Sequence, residues 1–74
     1  MLWRVERRKQ FRRQIITAAI CQHVVGHELR VFLGDEGENN LLHSELARFD
    51  RSPLEEKATS LREVLLEKGG SELP

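Results

Sequence analysis

The chain has 74 residues, of which 39% are hydrophobic and 32% are charged, and its formal net charge is zero. This length allows a single domain, residues 1–74, with a small core, and the apolar fraction excludes a fully disordered chain. No apolar run approaches the ~18 residues that a membrane span requires. Because no signal-peptide cleavage site is visible either, we expect a cytoplasmic protein.

The first thirteen residues are strongly basic, with a net charge of +5 against −5 for the rest of the chain. We expect residues 1–12 to be the projecting end of a helix that runs from Trp3 to Val24. The basic side chains are Arg4, Arg7, Arg8, Lys9, Arg12 and Arg13. They suggest nucleic-acid binding through phosphates, with Trp3 or Phe11 stacked on a base. The alternatives are a solvated helix end and a contact with the acidic last helix of a second subunit.

The second half of this expected helix is apolar over a wide arc. Its candidate interface residues are Phe11, Ile15, Ile16, Ala19, Ile20 and Val24. Ala18, Cys21 and Val25 extend the apolar surface to the other side, so the helix must be buried on most sides. A chain of 74 residues is too short to cover such a helix by itself, and with a single cysteine it cannot form an internal disulfide. Oligomerisation is therefore the expected source of added stability.

The middle of the chain predicts a hairpin. Residues 27–33 alternate and are rich in strand-forming side chains, which indicates a strand beginning after Gly26, the expected stop of the first helix. Residues 34–40 are typical of a loop. Residues 41–49 fit either a strand or a helix, and we favour the strand because the preceding strand needs a partner.

The last segment predicts a helix from Pro53 to Lys68. Ser52 and Glu55 fit a capping box, and Gly69 with Gly70 supplies a stop. Apolar residues recur at helical spacing and predict one buried stripe, namely Leu54, Ala58, Leu61 and Leu65. Residues 71–74 are expected to fray.

The resulting fold class is α+β, a small helix–strand–strand–helix domain. The alternative is an all-α helical hairpin with arms at residues 3–33 and 41–68. The Gly26 break and the Pro53 break weigh against that alternative.

The sequence gives little support for a catalytic site or a metal-binding site. His23 and His27 have the spacing of paired metal ligands on a helix, but Gly26 lies between them, so we expect no metal site. Cys21 and His23 are two residues apart and would not face each other on a helix. We therefore expect no enzyme activity, no cofactor and no small-molecule substrate.

The sequence therefore leaves two candidate functions. The first is a small interaction or regulatory module that associates with itself, as a homodimer, or with another protein. The second is a nucleic-acid-binding accessory protein that uses its basic N-terminal residues.

Overall fold

The protein forms one antiparallel sheet with one helix packed across a face of it. The structure, a computed structural model, describes the backbone of residues 1–35 and 38–74 and the side chains of residues 1–34 and 40–74. The elements in chain order are β1 (Trp3–Lys9), β2 (Arg12–His23), β3 (Gly26–Asp35), β4 (Glu38–Ala47), α1 (Ser52–Glu67) and β5 (Ser71–Glu72). The order of strands in the sheet is β4-β3-β2-β1-β5.

Both predicted fold classes, helix–strand–strand–helix and all-α hairpin, are wrong. The segment expected to be one helix, from Trp3 to Val24, is instead the two strands β1 and β2 with a turn at Gln10 and Phe11. In β2 the fully buried side chains are Ile16 and Ala18, which are two residues apart. That spacing is the period of a strand, and it places alternate side chains on opposite faces of the sheet.

The predicted hairpin in the middle of the chain is confirmed and is longer than expected. Residues 27–33 lie within β3, and most of residues 41–49 lie within β4, so the helical alternative for that stretch is wrong. Of the expected loop, residues 34, 35 and 38–40 belong to these strands, and residues 36 and 37 lie outside the described part of the chain. Gly26 does not end a helix but begins β3, next to the turn from β2.

The predicted C-terminal helix is confirmed to within one residue at each end, although its N-terminal cap differs. Ser52 makes no cap; instead the Asp50 carboxylate accepts hydrogen bonds from the Ser52 N–H at 3.0 Å and the Ser52 hydroxyl at 2.9 Å. At the other end the N–H of Gly69 donates to the carbonyl of Leu66 and that of Gly70 to Leu65. These two bonds form a Schellman motif, so the predicted glycine stop is also confirmed.

The core lies between α1 and the sheet face that it covers, which leaves the opposite face, here called the open face, uncovered. The buried residues are Trp3, Val5, Ile16, Ala18, Leu29, Val31, Leu54, Ala58 and Leu65. Three of the four residues of the predicted helix stripe are in this set, and Leu61 packs against it half-buried. The indole N–H of Trp3 donates to the carbonyl of Ala58 at 3.0 Å, which ties β1 to the helix.

The C-terminal residues, expected to fray, form the last strand of the sheet. Glu72 and Ser71 pair with Val5 and Glu6 of β1, and the N–H of Leu73 donates to the carbonyl of Arg4 at 2.9 Å. The side chain of Arg62 on α1 also reaches Glu72, at 2.7 Å. Three residues, 68–70, are therefore enough for the chain to return from the helix to the sheet.

Candidate interaction surfaces

The six residues predicted as a partner interface do not form one surface. Ile16 is buried in the core, at 3% exposure, and Ile20 packs on the same face. Ile15 and Ala19 lie half-buried on the open face, which follows from the alternation of β2. Phe11 and Val24 are fully exposed at opposite ends of β2, each in or beside a turn.

A different apolar group lies along β4, at one edge of the sheet. Leu41, Leu42 and Leu46 are each more than half exposed, at 54%, 53% and 63%, and Phe49 just beyond the strand is almost fully exposed. A shift in the β3–β4 register, a bulge, leaves Leu42 without a partner residue on β3. Because of this bulge, Leu41 and Leu46 both lie on the open face, while Leu42 lies on the helix side.

The two edges of the sheet are protected to very different degrees. At one edge β5 is only two residues long, which is a common way to limit pairing with other chains. At the other edge β4 has ten residues, contains neither proline nor lysine, and no described strand pairs with its outer side. A long edge strand with exposed leucines is a template for the addition of another strand.

The side chains of His43 and Glu45 on β4 lie on the helix side of the sheet. Lys57 of α1 donates a hydrogen bond to Glu45 at 2.6 Å, and this bond lowers the pKa of the Glu45 carboxyl against the opposing effect of desolvation. Glu45 is therefore an anion at neutral pH. The Nε2 atom of His43 lies 3.9 Å from the same carboxylate.

An apolar groove of about 360 Å³ opens between α1 and this part of the sheet. Its walls are core side chains, among them Leu29, Val31 and Leu61, and Leu42 and His43 lie at its mouth. The groove therefore reaches the edge strand β4 through Leu42, on the face opposite to Leu41 and Leu46.

The basic residues of the N-terminal segment occupy a β-hairpin and not a helix end. Arg8 is directly opposite Arg13, and Lys9 is directly opposite Arg12, across the β1–β2 ladder. The turn between them exposes the whole side chain of Phe11. Arg4 lies further along β1 and is half-buried.

Arg13 and Arg7 have partners within the hairpin. Arg13 contacts Glu6 at 2.8 Å; the hydrogen bond from Arg13 lowers the pKa of the Glu6 carboxyl. The Nε of Arg7 donates to the side-chain oxygen of Gln14 at 3.0 Å. Trp3, predicted as one of two stacking residues, is buried in the core, so of that pair only Phe11 is accessible.

Of the residues considered for metal or nucleophilic chemistry, Cys21 and His23 lie on the same face of β2, contrary to the expectation for a helix, and Glu28 is directly opposite Cys21. His23 is paired with Glu28 at 2.7 Å, whereas His27 has a buried ring nitrogen without a partner in the described chain. The alternation of β2 and β3 places these two histidines on opposite faces. Cys21 is a half-buried free thiol, and among the described residues no three His, Cys, Asp or Glu side chains cluster as a metal site.

No family model, curated protein or solved structure matches this chain. Within the described residues, no helix has the length and apolar character needed to cross a membrane. The geometry of β4 and of the β1–β2 hairpin is thus the basis for the functional argument.

Proposed function

We propose that this protein is a small, non-enzymatic interaction module, regulatory in role and cytoplasmic, that forms a homodimer by pairing β4 with β4 of a second copy. The observation that carries the proposal is the ten-residue free edge with its exposed leucines. An edge of this kind exposes unpaired backbone groups and apolar side chains together, and a second strand satisfies both. The apolar surface that favours association is therefore this edge and not the predicted helix.

The second copy is favoured as the partner because β4 is complementary to itself. In an antiparallel two-fold arrangement, one residue lies opposite its own copy. With Ser44 at that position, His43 of each chain faces Glu45 of the other, on the helix side of the sheet. Each of the two cross-strand pairs then places an imidazole beside an anionic carboxylate.

In the same register, the bulge places apolar residues of the two copies beside each other. Since Leu42 has no partner residue of its own, Leu41 occupies the next position of the ladder and lies beside Leu46 of the other copy, on the open face. Moving the two-fold axis to Glu45 would instead place two carboxylates opposite each other, which is destabilising. The register centred on Ser44 thus combines apolar and charge complementarity.

A disulfide test follows from this register. In a Cys21→Ser background, Ser44→Cys would bring two thiols directly opposite each other, with Cα atoms about 4.5–5.5 Å apart, which lies within the range that a disulfide spans. We expect a covalent dimer under mild oxidation, seen on a non-reducing gel and reversed by a reductant.

The matched control is His43→Cys in the same background. In the proposed register two copies of residue 43 lie diagonally, about 7–8 Å apart, beyond the reach of a disulfide. We expect it to stay monomeric on the gel over the same time. Absence of a Ser44→Cys dimer, or equal rates for the two variants, would refute the proposed pairing.

A further inference from the structure

The β1–β2 hairpin extends beyond the sheet as a basic ribbon. In the described ladder β3 pairs with β2 only from Ile15 onwards, and β5 pairs only with Val5 and Glu6 of β1. The stretch from Arg7 to Gln14 is therefore a two-stranded ribbon with no described strand on either side. Residues 8–13 of the ribbon are exposed, and because side chains alternate along β1, Arg8 and Lys9 lie on opposite faces of it.

The pairing within this ribbon opposes like charges. Arg8 faces Arg13 and Lys9 faces Arg12, although directly opposite like charges destabilise a hairpin. Glu6 compensates Arg13 at 2.8 Å, but no carboxylate of the described residues lies within 4 Å of Arg8 or Lys9. An anionic ligand on the ribbon would remove this repulsion.

The turn of the ribbon also has a backbone conformation that is unfavourable for its two residues. Gln10 and Phe11 both have positive φ angles, of 53° and 67°, in a turn type that strongly prefers Asn-Gly. A bulky aromatic side chain in this conformation is an outlier, and Phe11 packs on nothing, at 103% exposure. An exposed ring at the tip of a cationic ribbon is suited to stacking on a flat partner.

We infer that this ribbon binds single-stranded nucleic acid, with Arg8 and Lys9 on backbone phosphates and Phe11 stacked on a base. Cations that follow a backbone, with an aromatic side chain as a stacking platform, are the recurrent elements of such sites. A duplex would bury its base faces and leave Phe11 without a partner. The acidic body opposes binding only weakly at the ribbon, because Arg8 and Lys9 lie beyond the part of the sheet that pairs with β3 and β5, and salt at about 0.1 M screens charges further away than about 10 Å.

The test is the salt dependence of binding to a fluorescently labelled twelve-nucleotide oligo-dU, measured by anisotropy. Each phosphate contact contributes about 0.7 to the slope of log affinity against log salt for a single strand. We therefore expect Arg8→Ala/Lys9→Ala to reduce the slope by about 1.4. The control Arg48→Ala removes an exposed arginine beside Gly26, at the other end of the sheet, and should leave the slope unchanged.

A second variant separates stacking from charge. Gln10→Asn/Phe11→Gly installs the turn sequence that the hairpin geometry prefers, so the ribbon is retained while its aromatic ring is lost. We expect this variant to bind about 5- to 100-fold more weakly, the range for loss of one stacked base, with the same salt slope.

Three results would overturn the inference. They are no binding at about 50 mM salt, where phosphate contacts are strong; an equal loss of slope per charge removed in the Arg48→Ala control; and a turn variant that binds as tightly as the unmodified protein. Equal affinity for the same-length duplex or for heparin would identify a general polyanion site and would also contradict it. The ribbon and β4 are at different places in the sheet, so a failure of the dimer test leaves this test unaffected.

Discussion

Gly26 and Gly69 both have positive φ angles, of 142° and 98°, but their surroundings differ. A Cβ added to Gly26 would lie 2.4 Å from the carbonyl oxygen of Ala47 and 2.7 Å from the Cα of Arg48. A Cβ added to Gly69 would meet nothing within 4 Å. Gly26 thus permits a close backbone approach at the end of the β3–β4 ladder, while Gly69 only ends the helix.

This difference predicts unequal effects of the same substitution. Gly26→Ala combines backbone strain with a steric clash, and we expect it to lower the free energy of unfolding by about 2–6 kcal/mol. Gly69→Ala introduces strain alone and should lower it by about 1 kcal/mol. Urea denaturation of both variants measures the two values, and equal losses would mean that the Ala47 contact is not as close as the structure has it.

Residue-level signals in the sequence located the ends of the last helix, whereas Gly26, expected to end the first helix, begins β3 instead. Gly69 and Pro53 fixed the C-terminal helix to within one residue. Its start was assigned to Ser52 as the cap, but Arg51 is at the N-cap position and no side chain caps the helix. Asp50 instead accepts hydrogen bonds from Ser52. Phe11 was identified as a candidate stacking residue, and its position at an exposed turn keeps that prediction open.

The largest error occurred at the scale of the element, in β1 and β2. Ile15, Ile16, Ala19 and Ile20 match helical spacing, yet a strand covered differently on its two faces produces the same pattern, with Ile16 buried and Ile15 half-buried. The β-branched side chains of this stretch favoured a strand. The hairpin turn at Gln10 lacks glycine, asparagine and proline, so no turn signal divided the expected helix.

The helix α1 contributes to stability mainly through its buried stripe. Leu65 is 7% exposed and contacts the core, whereas the adjacent Val64 is 43% exposed. We expect Leu65→Ala to lower the free energy of unfolding by about 2–5 kcal/mol, the usual effect of a cavity. Val64→Ala should change it by no more than about 0.5 kcal/mol. Thermal or urea unfolding followed by circular dichroism compares the two variants. Similar losses of unfolding free energy would contradict the orientation of α1 in which Leu65 faces the sheet.

At the scale of the whole molecule, the two edges of the sheet determine how the chain meets other molecules. The C-terminal return as β5 protects β1, while β4 remains open at the opposite edge. The sequence contained the relevant leucines, but Leu41 and Leu46 come to one face only because of the bulge at Leu42. A one-residue irregularity of this kind follows from strand pairing and not from local sequence, so the surface was not predictable without the fold.

The most direct test of self-association through β4 is the mass in solution, measured by light scattering over a concentration series. We expect the unmodified protein to approach twice the chain mass of 8.6 kDa as concentration rises. Leu41→Lys/Leu46→Lys, which sets lysines beside each other across the proposed interface, should remain at the single-chain mass. Val64→Lys, an exposed apolar position on α1, should dimerise like the unmodified protein. A single-chain mass for the unmodified protein at all concentrations, or a dimer that the two lysines leave intact, would contradict the account.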